Sequence, residues 1–79
     1  MPTVLRLGSF RFFFYSNEFG EPPHIHIQDG TKKAKFWLEP VRLASSVRFT
    51  PVELRKLERL TQEHQTVLKE AWNEYFDRK

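Results

Sequence analysis

This sequence predicts an α+β fold, an antiparallel sheet of three to four strands followed by a C-terminal long or kinked helix packed on one face. Three observations predict it. Up to about residue 48 the chain reads in strand-like alternation, Asp29-Gly30 punctuates that stretch as hairpin turns do, and beyond Phe49 apolar residues recur at spacings of three and four. No repeat, linker or low-complexity segment divides the 79 residues. They are read as a single domain, residues 1–79, with a sheet part over 1–48 and a helical part over 50–78.

Residues 3–7 read as a first short strand, which Gly8-Ser9 turns into a second over residues 10–16. In the second strand Phe10, Phe12 and Phe14 share one face and Arg11, Phe13 and Tyr15 the other. Both faces are apolar, so this strand should lie inside the sheet, with its second side covered by something partly exposed or by a second chain. A loop follows over residues 17–23. Its Pro22-Pro23 pair imposes an extended entry into His24-Ile25-His26-Ile27, and the alternation sets both imidazoles on one face.

Taking Asp29-Gly30 as the two central residues of a hairpin turn sets Gln28 opposite Thr31, His26 opposite Lys33, Ile25 opposite Ala34 and His24 opposite Lys35. One face then carries Ile25, Ile27, Ala34, Phe36 and Leu38, and the other His24, His26, Gln28, Lys33, Lys35 and Trp37. A slip of one residue would mix the two sets, so their clean separation supports the assignment of faces. Glu39-Pro40 interrupts the strand, and residues 41–45 suit a further short one in which Arg42 points away from Val41 and Leu43.

The helical start is marked four times over. Thr50 is placed as N-cap, Pro51 as first helical residue, Glu53 closes a capping box, and Phe49 is set to staple onto Leu54. Leu54, Leu57, Leu60, His64, Val67, Leu68, Ala71, Trp72 and Tyr75 continue the apolar stripe. An unbroken helix over residues 51–77 would be about 40 Å long, against about 23 Å for a seven-residue strand, so part of it would overhang the sheet. The polar run Thr61-Gln62-Glu63-His64-Gln65-Thr66 is where it should bend, yet no Gly or Pro demands a break.

Composition bounds the function. A chain this short has a small core, and twelve aromatic residues, eight of them Phe, concentrate its burial into few positions. There is no cysteine, hence no disulfide and no thiolate metal site, which fits a reducing compartment. Neither a signal peptide nor a spanning segment is read in the sequence, whose longest early apolar run is Phe12-Phe13-Phe14-Tyr15, so the expected address is cytoplasmic, with no membrane partner. The net charge of +3 lies wholly in the first part of the chain, where residues 1–49 hold seven Lys and Arg against four Asp and Glu. This bias suits an acidic protein or RNA but is milder than the stripe of a dedicated nucleic-acid binder.

The candidate binding residues are His24, His26, Lys33, Lys35, Trp37, Tyr15 and Arg42. As a metal site the His-x-His pair lacks a third ligand and would face repulsion from Lys33 and Lys35, so neither metal nor cofactor is expected. As a ribonuclease, His24 and His26 would serve as acid and base, Lys33, Lys35 or Arg42 would stabilise phosphate, and Trp37 or Tyr15 would stack a base. As a protein interface, Phe13, Tyr15, Trp37 and Arg side chains are the types that anchor partners, and a partner also eases the small-core problem. A packing role, with the imidazoles against Trp37 and the lysine stems, is the fourth alternative. Trp72, Tyr75 and Phe76 read as core or dimer anchors, and a homodimer is left open.

The segments Met1-Pro2-Thr3-Val4-Leu5-Arg6, Arg11-Phe12-Phe13-Phe14-Tyr15-Ser16-Asn17-Glu18, Glu21-Pro22-Pro23-His24-Ile25-His26, Ala34-Lys35-Phe36-Trp37-Leu38 and Glu70-Ala71-Trp72-Asn73-Glu74-Tyr75-Phe76, in that order, resemble a bacterial family of short proteins described as a domain of unknown function. The resemblance spans essentially the whole chain, with slight departures at Phe19-Gly20 and Ser46-Val47-Arg48. It implies a small cytosolic protein with a partner encoded nearby, because members often lie beside a second small protein in an arrangement like a toxin–antitoxin pair. It supplies no catalytic residues. The expectation is therefore a toxin–antitoxin-type component that binds a cognate small protein, with RNA as a further ligand, and the alternative is a metal-independent ribonuclease toxin using His24 and His26.

Overall fold

The computed structural model describes residues 3–15 and 20–76. Readings that fall on residues 1–2, 16–19 and 77–79, including the end of the second strand at Ser16, the loop start at Asn17 and the helix end at Asp77, lie outside the described residues. Five strands form one antiparallel sheet in chain order: β1 (Thr3–Leu7), β2 (Phe10–Phe13), β3 (His24–Asp29), β4 (Lys32–Leu38) and β5 (Val41–Val47). Two helices follow, α1 (Pro51–Glu63) and α2 (Gln65–Phe76), and pack on one face of the sheet. The class is α+β as expected, but the strand count is five rather than three to four. The fifth strand is longer than the expected residues 41–45 because Ser45-Ser46-Val47 stays paired to β4 beyond a bulge at Ala44, an irregularity that breaks the alternation a sequence reading relies on.

Local chemistry sets both tight hairpins. Gly8 (φ +60°) and Gly30 (φ +63°) each open a two-residue turn with a positive φ, the position that a type II′ turn reserves for glycine. In the β3–β4 hairpin the turn is therefore Gly30-Thr31 and not Asp29-Gly30. The pairs are Asp29 with Lys32, Gln28 with Lys33, Ile27 with Ala34, His26 with Lys35, Ile25 with Phe36 and His24 with Trp37. This corrects the expected partners by two residues. An even shift leaves every side chain on its assigned face, so the two sets of residues survive while their neighbours change.

β2 regular pairing ends at Phe13, shorter than residues 10–16, yet Phe14 still packs into the core and Tyr15 still lies with the opposite face. β2 sits between β1 and β3, an interior position as its two apolar faces required. The need for a second chain over Phe13 falls away, since Arg11, Tyr15 and His26 of the same chain leave it 2 % exposed.

The capping box forms as read: Glu53 N–H donates to Thr50 Oγ1 at 3.2 Å, and Thr50 N–H donates to Glu53 Oε1 at 2.8 Å. Arg48, at φ +71°, swings the chain from β5 into this cap. The single long helix is corrected to two, interrupted at His64 (φ −109°, ψ 18°). Side chains supply the cause where Gly and Pro are missing. Thr61 Oγ1 donates to the Leu57 carbonyl at 2.8 Å and His64 Nδ1 donates to the Leu60 carbonyl at 2.9 Å, so consecutive turns bond back on themselves. Gln65 Nε2 then ties the start of α2 to the Leu38 carbonyl at the end of β4. The new helical phase buries Leu68 and Trp72 and leaves Val67, expected on the apolar stripe, half exposed.

Between sheet and helices lies one core of Phe12, Phe14, Ile25, Ile27, Phe36 and Leu38 against Leu57, Leu68 and Trp72. Among the described residues no helix is long and apolar enough to cross a membrane.

Candidate functional site

The helices cover one face of the sheet, and strand pairing orders the other into rows. Residues paired across an antiparallel sheet project to the same side, so register alone assembles them. One row runs His24, Trp37, Arg42; the next Phe13, His26, Lys35, Ser45; the third Arg6, Arg11, Gln28, Lys33, Val47. All seven candidate residues are thus brought to this side or its margin. Strand order supplies what sequence reasoning lacked, the placement of β2 directly beside β3, and with it Phe13 and Tyr15 against His26.

His24 shares the open side with His26 by alternation but not its exposure. It is fully buried, with its ring 5.1 Å from that of His26, 5.7 Å from Trp37 and 4.8 Å from Trp72. It lies at the start of β3, where Trp72 of α2 comes against it. Its Nδ1–H donates to the Pro22 carbonyl at 3.0 Å, so the proton sits on Nδ1 in the neutral ring.

His26 remains half-buried at the surface. Its ring stacks on Phe13 at 5.5 Å and meets the edge of Tyr15 at 4.6 Å. The aromatic group is rimmed by cations: Arg11 lies 4.4 Å over Phe13 and Lys35 4.7 Å over Trp37.

Glu21 was missing from the candidates, and the Pro22-Pro23 segment curls it over the face. Its Oε1 lies 2.7 Å from Lys35 Nζ and 3.8 Å from His24 Nδ1. Arg11 and Ser45 also belong to the surface, and Phe13 lies buried directly beneath it. Alternation in the sequence marks Arg11 and Phe13, whereas Ser45 is brought into its row only by the Ala44 bulge. Among the described residues neither Lys33 nor Arg42 has a carboxylate in ion-pair range. Tyr15, His26, Lys33, Lys35, Ser45 and Val47 border a shallow depression of about 240 Å³. A second, of about 500 Å³, continues past Lys33 and Val47 to Arg48.

Away from this face, Lys32 Nζ bonds Glu53 Oε2 at 2.7 Å and clamps the β3–β4 turn to the start of α1. The hydrogen bond to Glu53 raises the Lys32 pKa, and the bonds from Lys32 and from the Thr50 N–H lower that of Glu53.

Chemically, the open face offers aromatic surface, cations with few matching acids, and hydroxyls. Among the described residues no group of three His, Asp or Glu side chains is gathered as a metal ion would require. Residues 9–73 of the chain match the family described as Domain of unknown function (DUF4160). No curated protein and no solved structure matches it.

Proposed function

Given that the chain belongs to the family described as Domain of unknown function (DUF4160), we propose that the protein is a binding component of the toxin–antitoxin type. It holds a cognate small protein on the open face of its sheet and carries out no covalent step. The observation that carries this reading is the makeup of that face. Trp37, Tyr15 and His26 supply partly exposed aromatic surface, with Arg11, Lys33, Lys35 and Arg42 around it. Aromatic and arginine side chains in one patch are the usual source of binding energy at protein interfaces, and the excess of cations favours an acidic partner. The resemblance to proteins encoded beside a second small protein supports a partner of that origin.

Acid–base use of His24 and His26 is the weaker alternative. A general acid must come within hydrogen-bond reach of the phosphodiester, and His24 is walled in by Trp37 and Trp72. RNA remains the other polyanion that this surface would attract.

The test is calorimetric titration of the purified protein with the small protein encoded beside it, comparing wild type with Trp37→Ala and with Lys33→Glu/Arg42→Glu. A complex should form, weaken by about thirtyfold or more in Trp37→Ala as a hot-spot loss of about 2 kcal/mol implies, and lose affinity with added salt in wild type. Absence of a complex, or affinity indifferent to all three substitutions, would refute the reading. Cleavage of RNA by wild type, abolished in His26→Ala, would replace it with the nuclease.

A further inference from the structure

We propose that β5 is a docking edge, on which the partner of the preceding section lays down an extended segment as a sixth strand, acidic where it faces the open side and apolar where it faces the helices. The inference rests on that reading for the partner's origin, but its own ground is separate. β5 runs seven residues, Val41–Val47, at the end of the sheet, and among the described residues no strand pairs with its outer side. Every residue of it after Val41 is exposed. It contains no Pro or Lys, and of the features that blunt an edge it carries one charge, Arg42, and one bulge, at Ala44. An uncovered strand of this length presents a row of backbone donors and acceptors, which is what β-strand addition uses for affinity.

Side chains along the strand specify the occupant. Leu43 pairs with the buried Phe36 and so lies on the helix side, yet it is 39 % exposed, because the core stops short of it. A partner strand that sets an apolar residue opposite Leu43 would complete the core there. On the open side, Arg42 is in row with Trp37, and Lys33 and Lys35 stand one strand further in. An aspartate or glutamate opposite Arg42 would gain a cross-strand pair and lie in the field of both lysines.

Charge also argues against a second copy as the occupant. Pairing β5 with itself would join two cationic faces into one continuous surface and would offer Arg42 no acid, since β5 contains none. Arg42 and the Ala44 bulge are the kinds of device by which an edge rejects indiscriminate pairing, and an acidic segment turns the first of them into an attraction.

The experiment uses the full chain and a capped synthetic peptide of alternating valine and glutamate, with alternating valine and lysine as control. Backbone hydrogen exchange by NMR follows the β5 amides. The acidic peptide should bind, slow exchange in β5 but not in β1, and bind about fivefold more weakly to Arg42→Glu, while the basic peptide should gain on that variant. Arg42 is exposed, so the substitution leaves the core untouched. Equal binding of both peptides, or binding without protection of β5, would overturn the proposal. So would protection of β5 in the free protein that rises with its concentration, which would make a second copy the occupant. If the neighbour-encoded protein binds through Trp37 but leaves β5 exchange unchanged, the edge proposal fails and the interface reading stands. If the peptide docks and that protein does not bind, the edge stands and the identity of the partner falls.

Discussion

His24 carries the clearest lesson at the scale of single residues. Alternation along β3 puts it on the same side as His26, and this side lacks a helix over most of its area, yet the two rings have different environments. His24 fills the space between Trp37 and Trp72 and donates to the Pro22 carbonyl, while His26 stacks at the surface on Phe13. Replacing His24 by Ala should cost about 2–4 kcal/mol, from a cavity among aromatic rings and a lost hydrogen bond. His26→Ala should cost about 1 kcal/mol, the scale of one aromatic contact. Urea denaturation midpoints of the two variants measure the difference, and equal costs would contradict the distinct roles. A growth or binding assay on a double His24/His26 variant would therefore mix unfolding with loss of function. His26, Trp37, Lys33 and Arg42 are the cleaner probes.

At the scale of elements, the start of α1 joins helix to sheet through one carboxylate. Glu53 closes the capping box with Thr50 and also receives Lys32 from the hairpin, which holds its pKa below the ordinary 4.5. Its contribution to stability is present above that ordinary value and disappears as pH falls through the lower folded one. Lys32, raised above 10.5 by the same bond, contributes below 10.5 and loses its share as pH climbs through its folded value. Glu53→Gln should accordingly lower the denaturation midpoint at neutral pH, and the gap to wild type should close as pH falls below the ordinary 4.5 and through the lower folded value, where the wild-type carboxylate is protonated. A gap that persists unchanged in acid would show that Glu53 acts through packing and not through charge. This cap was fully legible in the sequence, because its signals are local. The break at His64 was not: Thr61 and His64 turn back on their own helix, and no residue type announces that as Pro or Gly would.

For the whole molecule, the second helix is what closes the core. It brings Leu68 against the sheet and Trp72 against both Phe14 and His24, and its first residue is tied to Leu38. A chain ending after His64 should fail to fold, since so small a core has little margin to lose that much buried surface. Circular dichroism and dispersion of amide resonances test this directly, and a truncated chain with a cooperative unfolding transition would refute it. The same helix keeps to one side and leaves the other to Trp37, Tyr15 and the cations.

By itself the sequence determined what depends on neighbours along the chain: the α+β class, the faces of β2, β3 and β4, the N-terminal cap of α1, and the family resemblance carried by its ordered motifs. Face assignment survived even the two-residue change in hairpin partners, because alternation has a period of two and the change was even. Only the tertiary structure decided the turn that uses Gly30 first, the fifth strand beyond its bulge, the meeting of Phe13 and Tyr15 with His26, and the burial of His24. Each of these depends on which strand lies beside which and on where α2 ends, contacts between residues far apart in sequence that no local pattern encodes.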